Sequence, residues 1–399
     1  MTDPHRPAPA QSVATTPVAA SASPPEPDPR ARLGDVSGAF ADLGTFVPLV
    51  VGVFTVLHID PAGLLIGFGV FALFTALVYR RPVPVQPMKA VAGLAIAGGL
   101  SAAGVAATGV LLGIVLVVLG ALGVVGRIGR AVPSTVMLGI QLGVGLYLAW
   151  AGIKLMRHEP GLGAAALALL LALQATRFKP LAALAVIVAA AAWGVSQTPD
   201  ALPALHVAFG LPTLALPGGA AWWESSGGVL LPQLALTLTN ATVITAAIAA
   251  EYFPADRARI TPDRLALSTG VVNLLVAPFG GFPMCHGAGG LVVQHRFGAR
   301  TGLAPAIFGA CCLVLGLFFG VQAMAMLALL PLAAVGALLL VAGYDLAINK
   351  RLRGASRDRL LVIVLTGVAC VVANVALALL LGIGLEWLRR RLENRHPTT

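Results

Sequence analysis

The sequence predicts an all-α polytopic membrane protein, about fourteen transmembrane segments arranged as two inverted repeats of seven. Three observations lead there: a composition that water cannot solvate, cations confined to alternate loops, and two broken apolar segments at matched places. Of 399 residues, 58% are hydrophobic and only 11% are charged, with a mean hydropathy of +0.91. A soluble domain carries roughly 25% charged residues, so this chain lacks the polar exterior of one. The 46 glycines and the 6% share of aromatics suit helices that pack closely inside a bilayer. Disorder, nucleic-acid binding and a disulfide scaffold are excluded on the same figures. Cys285, Cys311, Cys312 and Cys370 lie in apolar stretches without the spacing of a zinc site.

Residues 1–32 are rich in Pro, Ala, Ser and Thr and hold no apolar run, which predicts a disordered tail and not a signal peptide. A span needs about 20 mostly apolar residues. In the first half such runs are Phe40–Leu57, Ala62–Tyr79, Gly104–Gly126, Val132–Ile153, Leu162–Ala175 and Leu181–Val195. In the second they are Leu230–Ala250, Leu265–Phe279, Leu303–Gly320 and Gln322–Ala342, followed by Leu360–Leu388, long enough to fold as two short helices. Two further segments, Pro84–Leu100 and Pro283–Phe297, are apolar but interrupted by Pro, Gly and polar residues. The expected divisions are a cytoplasmic tail over 1–32, a first repeat over 33–196 and an extracytoplasmic loop over 197–228. A second repeat over 229–388 and a cytoplasmic C-terminal tail over 389–399 complete the chain.

Charge tests that count. With the N-terminus in the cytoplasm and sides alternating, the inside loops take Arg80, Arg81, Arg127, Arg130, Arg177 and Lys179. They also take Arg257 to Arg264, Arg296, Arg300, Lys350 to Arg359 and the C-terminal arginines, while only Lys154 and Arg157 fall outside. This obeys the positive-inside rule and accounts for the net charge of +10 without an acidic partner. The chain is therefore expected in the cell (inner) membrane as a multi-pass protein with both termini cytoplasmic.

The broken segments read Pro82-Val83-Pro84-Val85-Gln86-Pro87-Met88-Lys89 and Gly280-Gly281-Phe282-Pro283-Met284-Cys285-His286-Gly287. Each is the third of its half and carries a Pro-Met pair, then a polar residue, then a helix of small residues. Seven spans per half invert one repeat against the other, and matched broken helices in inverted halves mark a transporter's binding site. Pro disfavours helix before it, so each segment should run extended and turn helical only near the midplane. The two half-helices, beginning near Pro87 and Met284, then bring free N–H groups and positive dipole ends together, which suits an anion.

These motifs resemble the molybdate transporter family, a relative of the sulfate permease superfamily. The resemblance rests on Asp42-Leu43-Gly44-Thr45, Pro84 to Lys89, Gly139 to Leu146, Leu231-Pro232-Gln233-Leu234, Thr237 to Asn240, Pro283 to Gly290 and His295 to Arg300. It implies uptake of an oxyanion, typically molybdate, and a core and a gate domain built from the two repeats. Sulfate permeases usually carry a cytoplasmic STAS domain; the chain stops soon after Arg395, so a homodimer through such a domain is not expected.

Thr45, Gln86, Pro87, Met88, Lys89, Gln233, Met284, Cys285, His286 and Gly287 are the expected substrate-binding residues, with Thr237 and Asn240 as further neutral donors. Lys89 is the one Lys or Arg inside a membrane segment, where a cation costs at least about 2.5 kcal/mol. It either meets the substrate's charge or pairs with an acid such as Asp42. Asp42 either carries a proton, balances Lys89 or caps its helix. His286 either donates to the oxyanion, titrates during coupling or is a buried structural residue, and Cys285 is either a small buried residue or a substrate contact. The reading is a secondary active transporter of molybdate with proton or cation coupling and no cofactor. The alternatives are a sulfate, nucleobase or other anion permease on the same scaffold, and an anion channel. No Walker motif or nucleophile–base pair points to ATP-driven transport or to an enzyme.

Overall fold

The computed structural model describes residues 29–131, 133–176, 182–198, 207–212, 214, 216–348, 352, 354–373 and 375–395. The first half comprises α1 (Pro29–Ala39), α2 (Leu43–Leu57), α3 (Pro61–Tyr79), β1 (Val85–Pro87), α4 (Lys89–Ile96) and α5 (Ala102–Ala121). It continues with α6 (Val125–Ala131), α7 (Ser134–Met156), α8 (Pro160–Gln174) and α9 (Ala182–Gln197). The second half holds α10 (Gly219–Gly228), α11 (Leu230–Tyr252), α12 (Pro262–Val276), β2 (Met284–His286) and α13 (Ala288–Arg296). It ends with α14 (Leu303–Ala328), α15 (Leu332–Ala347), α16 (Arg357–Val372) and α17 (Val375–Arg395). With α1, α6 and α10 set aside as flanking pieces, each half supplies seven membrane elements, the third being a strand joined to a half-helix.

Local chemistry sets the helix ends. Asp60 accepts from the Ala62 N–H (2.9 Å) ahead of Pro61, and Ser101 accepts from Gly104 (3.0 Å). Thr261 caps α12 through the Arg264 N–H (3.3 Å), and again Pro follows the cap. Among the described residues, five helices are long and apolar enough to cross a membrane.

Three expectations shift. Helix α1 begins at Pro29, inside the stretch read as tail, and is tied down because Asp35 accepts from the Arg300 N–H (2.7 Å) and the Thr301 N–H (3.0 Å). The loop over 197–228 contains α10, which packs on α5. The span expected from Gln322 begins only at Leu332. Helix α14 kinks at Phe319 and runs on to Ala328, and Pro331, which lacks an N–H, sets the next start. Residues 1–28, Arg177, Lys179, Lys350, Arg351, Arg353 and Asn374 lie outside the described residues.

Two bundles share the work. In one, α3 packs on α14 and α5 on α12; in the other, α7 packs on α15 and α16, and α16 on α17, while α2 touches both α4 and α15. Within bundles the backbones nearly touch. A methyl added at Gly145 would lie 2.6 Å from the Gly343 carbonyl oxygen, and one at Gly270 would lie 2.7 Å from that of Gly113. Such small-residue seams are how membrane helices gain packing energy. Across the boundary, Gly52 faces the Leu339 side chain and Gly93 that of Val144.

The loops expected on one side do meet at one end. Asp256 pairs with Arg81 (2.6 Å) and Arg259 (2.8 Å), Arg81 also donates to the Arg300 carbonyl (3.0 Å), and Asp263 accepts from the Val125 N–H (2.9 Å). At the other end, Ala208 and Gly210 donate to the Phe318 and Leu317 carbonyls (3.2 and 2.8 Å).

Candidate functional site

The two broken segments meet as a buried two-stranded antiparallel ribbon, with Val85 opposite His286, Gln86 opposite Cys285 and Pro87 opposite Met284. Backbone pairing at this depth survives only where protein encloses it. Here Asn273 of α12 supplies a clamp: its Oδ1 accepts from the Met284 N–H (2.8 Å) and its Nδ2 donates to the Met284 carbonyl (2.6 Å). The Met88 N–H adds a bond to the Pro283 carbonyl (2.9 Å).

From the ribbon the chain turns helical at Lys89 and at Ala288, four residues beyond Met284. Neither N-cap residue, Met88 or Gly287, caps its helix with a side chain. Gln233 of α11 supplies one bond instead, its Oε1 accepting from the Ala90 N–H (2.9 Å) while its Nε2 donates to Thr237 (3.0 Å). Residues Thr237–Ile244 of α11 form a π-helix, a geometry that often accompanies functional sites.

A cavity of about 400 Å³ opens at this crossing. Gln86, Pro87, Lys89, Cys285 and His286 line it from the ribbon side, Gln233 and Asn240 from α11, and Gln141 from α7. A second cavity of about 510 Å³ shares Lys89 and Leu346 with the first and adds Thr45 and Asp345. The six expected residues Gln86, Pro87, Lys89, Gln233, Cys285 and His286 thus surround one space, and Thr45 borders the next. Met88 and Met284 are fully buried and line neither. Gly287 gives room: a methyl there would fall on the Gln86 carboxamide.

Two ionisable candidates have specific partners. His286 is fully buried; its Nε2 pairs with the Ser268 hydroxyl (2.9 Å) and its Nδ1 with the Pro84 carbonyl (3.2 Å). Ser268 in turn meets the Tyr79 hydroxyl (2.7 Å), so Nε2 ties the ribbon to α12 and α3 while Nδ1 bonds to the entry of the facing strand. Asp42 accepts a hydrogen bond from Gln86 Nε2, and among the described residues no ion pair joins it to Lys89. Gln141 lies in the Gly139 to Leu146 stretch of the resemblance but is not among the expected ligands, and Asp345 carries no expectation beyond being a polar residue within an otherwise apolar helix.

A family model described as the molybdate transporter of the MFS superfamily matches residues 34–148 and 226–346, more than half of the chain. The chain belongs to the molybdate transporter family. The matched stretches carry both ribbon strands and both half-helices; the gap between them holds α8, α9 and most of α10. Molybdate transporter 1 of Arabidopsis thaliana is 28% identical over 389 residues, covering 85% of this chain and 84% of that protein. Molybdate transporter 2 of the same plant is 29% identical over 400 residues, with 86% and 84% covered. Molybdate transporter 1 of Chlamydomonas reinhardtii is 28% identical, with 78% and 83% covered.

Among solved structures, the transmembrane domain of the cyanobacterial bicarbonate transporter BicA superposes with a TM-score of 0.63 at 17% identity, covering 88% of this chain and 97% of that one. The murine Slc26a9 anion transporter in its inward-facing state gives 0.67 at 14% identity, with 90% and 68% covered. These likenesses show the fold: the molybdate transporter family member has the seven-plus-seven architecture of those carriers. It is a multi-pass membrane protein of an anion-transporter class.

Proposed function

We propose that this chain is a secondary active transporter that imports molybdate by alternating access, holding the anion in the cavity where the two half-helices begin. The observation that carries this reading is Lys89, on the first turn of α4, facing a cavity otherwise lined by neutral side chains. A tetrahedral dianion there meets one full charge, the dipole end of α4 and the amides of Gln86, Gln141 and Asn240. One cation leaves the bound complex with net negative charge, so release remains fast enough for turnover. Gln233 acts by fixing α4 through Ala90, and His286 by fixing the ribbon, with neither needed as a direct ligand.

The bundle containing α3, α5, α12 and α14 is the core that carries the anion, and that containing α7, α15, α16 and α17 is the gate. Both termini lie in the cytoplasm of a cell membrane, the side to which the cation-rich loops belong. An inside-negative potential opposes entry of a dianion by about 4.6 kcal/mol per 100 mV, so accumulation requires a co-moving cation. The test is radiolabelled molybdate binding and uptake by the purified full-length protein in liposomes, with sulfate as competitor. Saturable uptake that sulfate displaces weakly supports a molybdate carrier. Tighter sulfate displacement makes the chain a sulfate permease, and flux that never exceeds electrochemical equilibrium under any ion gradient makes it a channel.

A further inference from the structure

We infer that a small cavity behind the ribbon is a monovalent-cation site, coupled to the anion cavity through Gln86. It is a narrow, part-open pocket between the start of α2, β1, α13 and α14. Asp42 is the one ionisable side chain lining it and Gln294 the one other polar side chain; Phe46, Pro305 and Phe308 are among its apolar walls. Gln294 is 4% exposed, and its Oε1 has no hydrogen-bond donor among the described residues. It sits one turn beyond Gly290 on α13, and Gly290 lets that helix close on Asp42, since a methyl there would lie 2.6 Å from the carboxylate.

Two oxygen acceptors in an apolar enclosure form a costly arrangement. A half-buried carboxylate and a buried unsatisfied amide oxygen are each penalised, and a small cation relieves both. A proton would rest on the Asp42 carboxyl and be shared with Gln294 Oε1; a sodium ion would be bound by both oxygens. Of the neighbouring charges, Asp35 accepts from Arg300 and Thr301 and His295 stacks on Tyr252 at 4.0 Å between centroids, while Lys89 faces the anion cavities and lies near enough for its charge to act on Asp42.

Gln86 makes the site a coupling device, because one carboxamide serves two chambers. It lines the anion cavity and donates to Asp42. With Asp42 charged, that N–H is held back and a carboxylate stands behind the anion. With Asp42 neutralised, the N–H is released to the substrate and the repulsion disappears. Cation loading therefore precedes anion loading, and each monovalent cation carried offsets half of the dianion's charge.

The inference rests on the anion site proposed above, and the test separates the two. The full-length protein in liposomes is given radiolabelled molybdate under an inward sodium gradient, under an inward proton gradient, and in counterflow with equal cations on both sides. One gradient is expected to drive accumulation, naming the ion. Gln294→Leu should raise the half-saturating concentration of that ion roughly tenfold and leave counterflow at saturating cation unchanged. Asp42→Asn should lose gradient-driven accumulation while retaining counterflow; if it fails to fold, Gln294→Leu decides alone. A Gln294→Leu protein with wild-type cation dependence, or one that loses counterflow, overturns the site. So does a wild type that exchanges molybdate but ignores both gradients. Absence of counterflow in the wild type instead overturns the anion-site reading.

Discussion

Replacing Lys89 with alanine tests the anion site most directly. The ammonium belongs to both cavities at the crossing and supplies their one cationic lining residue. Losing a hydrogen bond to a charged group costs about 1.5–3 kcal/mol, which is about ten- to over a hundredfold in affinity. The fold should survive, because Lys89 has no ion pair among the described residues and is only partly buried, so its removal strands no buried acid. Lys89→Arg should recover part of the affinity, since a planar fork does not fill the place of a compact ammonium. Lys89→Glu should abolish uptake. The assay is equilibrium molybdate binding to purified wild type and variants, with thermal unfolding as a control for folding. A Lys89→Ala protein that unfolds normally and binds within threefold of wild type refutes a substrate role. A variant that fails to fold until Asp42→Asn is added would show that Lys89 serves that acid instead.

Other positions give distinct outcomes. Gly287→Ala drives a methyl onto the Gln86 carboxamide; overpacking of this kind costs about 1–3 kcal/mol, and uptake should fall sharply at normal expression, as measured by transport per folded molecule. Asn273→Leu removes both bonds of the β2 clamp and leaves the buried Met284 amide groups unpaired, so stability should drop by about 2–4 kcal/mol, read as a lower thermal midpoint. Deleting residues 1–28 should leave uptake intact, and a loss of transport at unchanged expression would assign that segment a role.

The count of membrane elements and the two broken helices were legible because both leave composition-level marks: apolar runs of a set length, and Pro with polar residues inside two of them. The cation-rich loops could be grouped for the same reason, and Asp256, Arg81 and Arg300 show those loops in contact. What stayed hidden depends on distant partners. His286 looks like a donor in sequence, yet Ser268 and Pro84, remote along the chain, occupy its nitrogens. Gln233 reads as a ligand but spends its oxygen on Ala90. The late start of α15 has one mark in the sequence, Pro331 inside the apolar run Gln322 to Ala342, whereas the kink at Phe319 has no residue signature of its own. Met88 and Met284 share the motif with cavity-lining neighbours but are fully buried against protein, a difference that their sequence positions do not mark.

The contrast between glycine contacts within and between bundles bears on how such a carrier can evolve. Where Gly145 lies against Gly343 and Gly113 against Gly270, no larger residue fits without moving backbone. Mutation there has almost no neutral neighbours. At the boundary, Gly52 and Gly93 meet the ends of Leu339 and Val144, which can exchange for other aliphatic side chains of similar volume at small cost. Drift should therefore be tolerated at Leu339 and Val144 and resisted where Gly145 meets Gly343 and Gly113 meets Gly270. On the alternating-access reading proposed above, a lineage could retune the fit between the two bundles there without disturbing the cavity around Lys89.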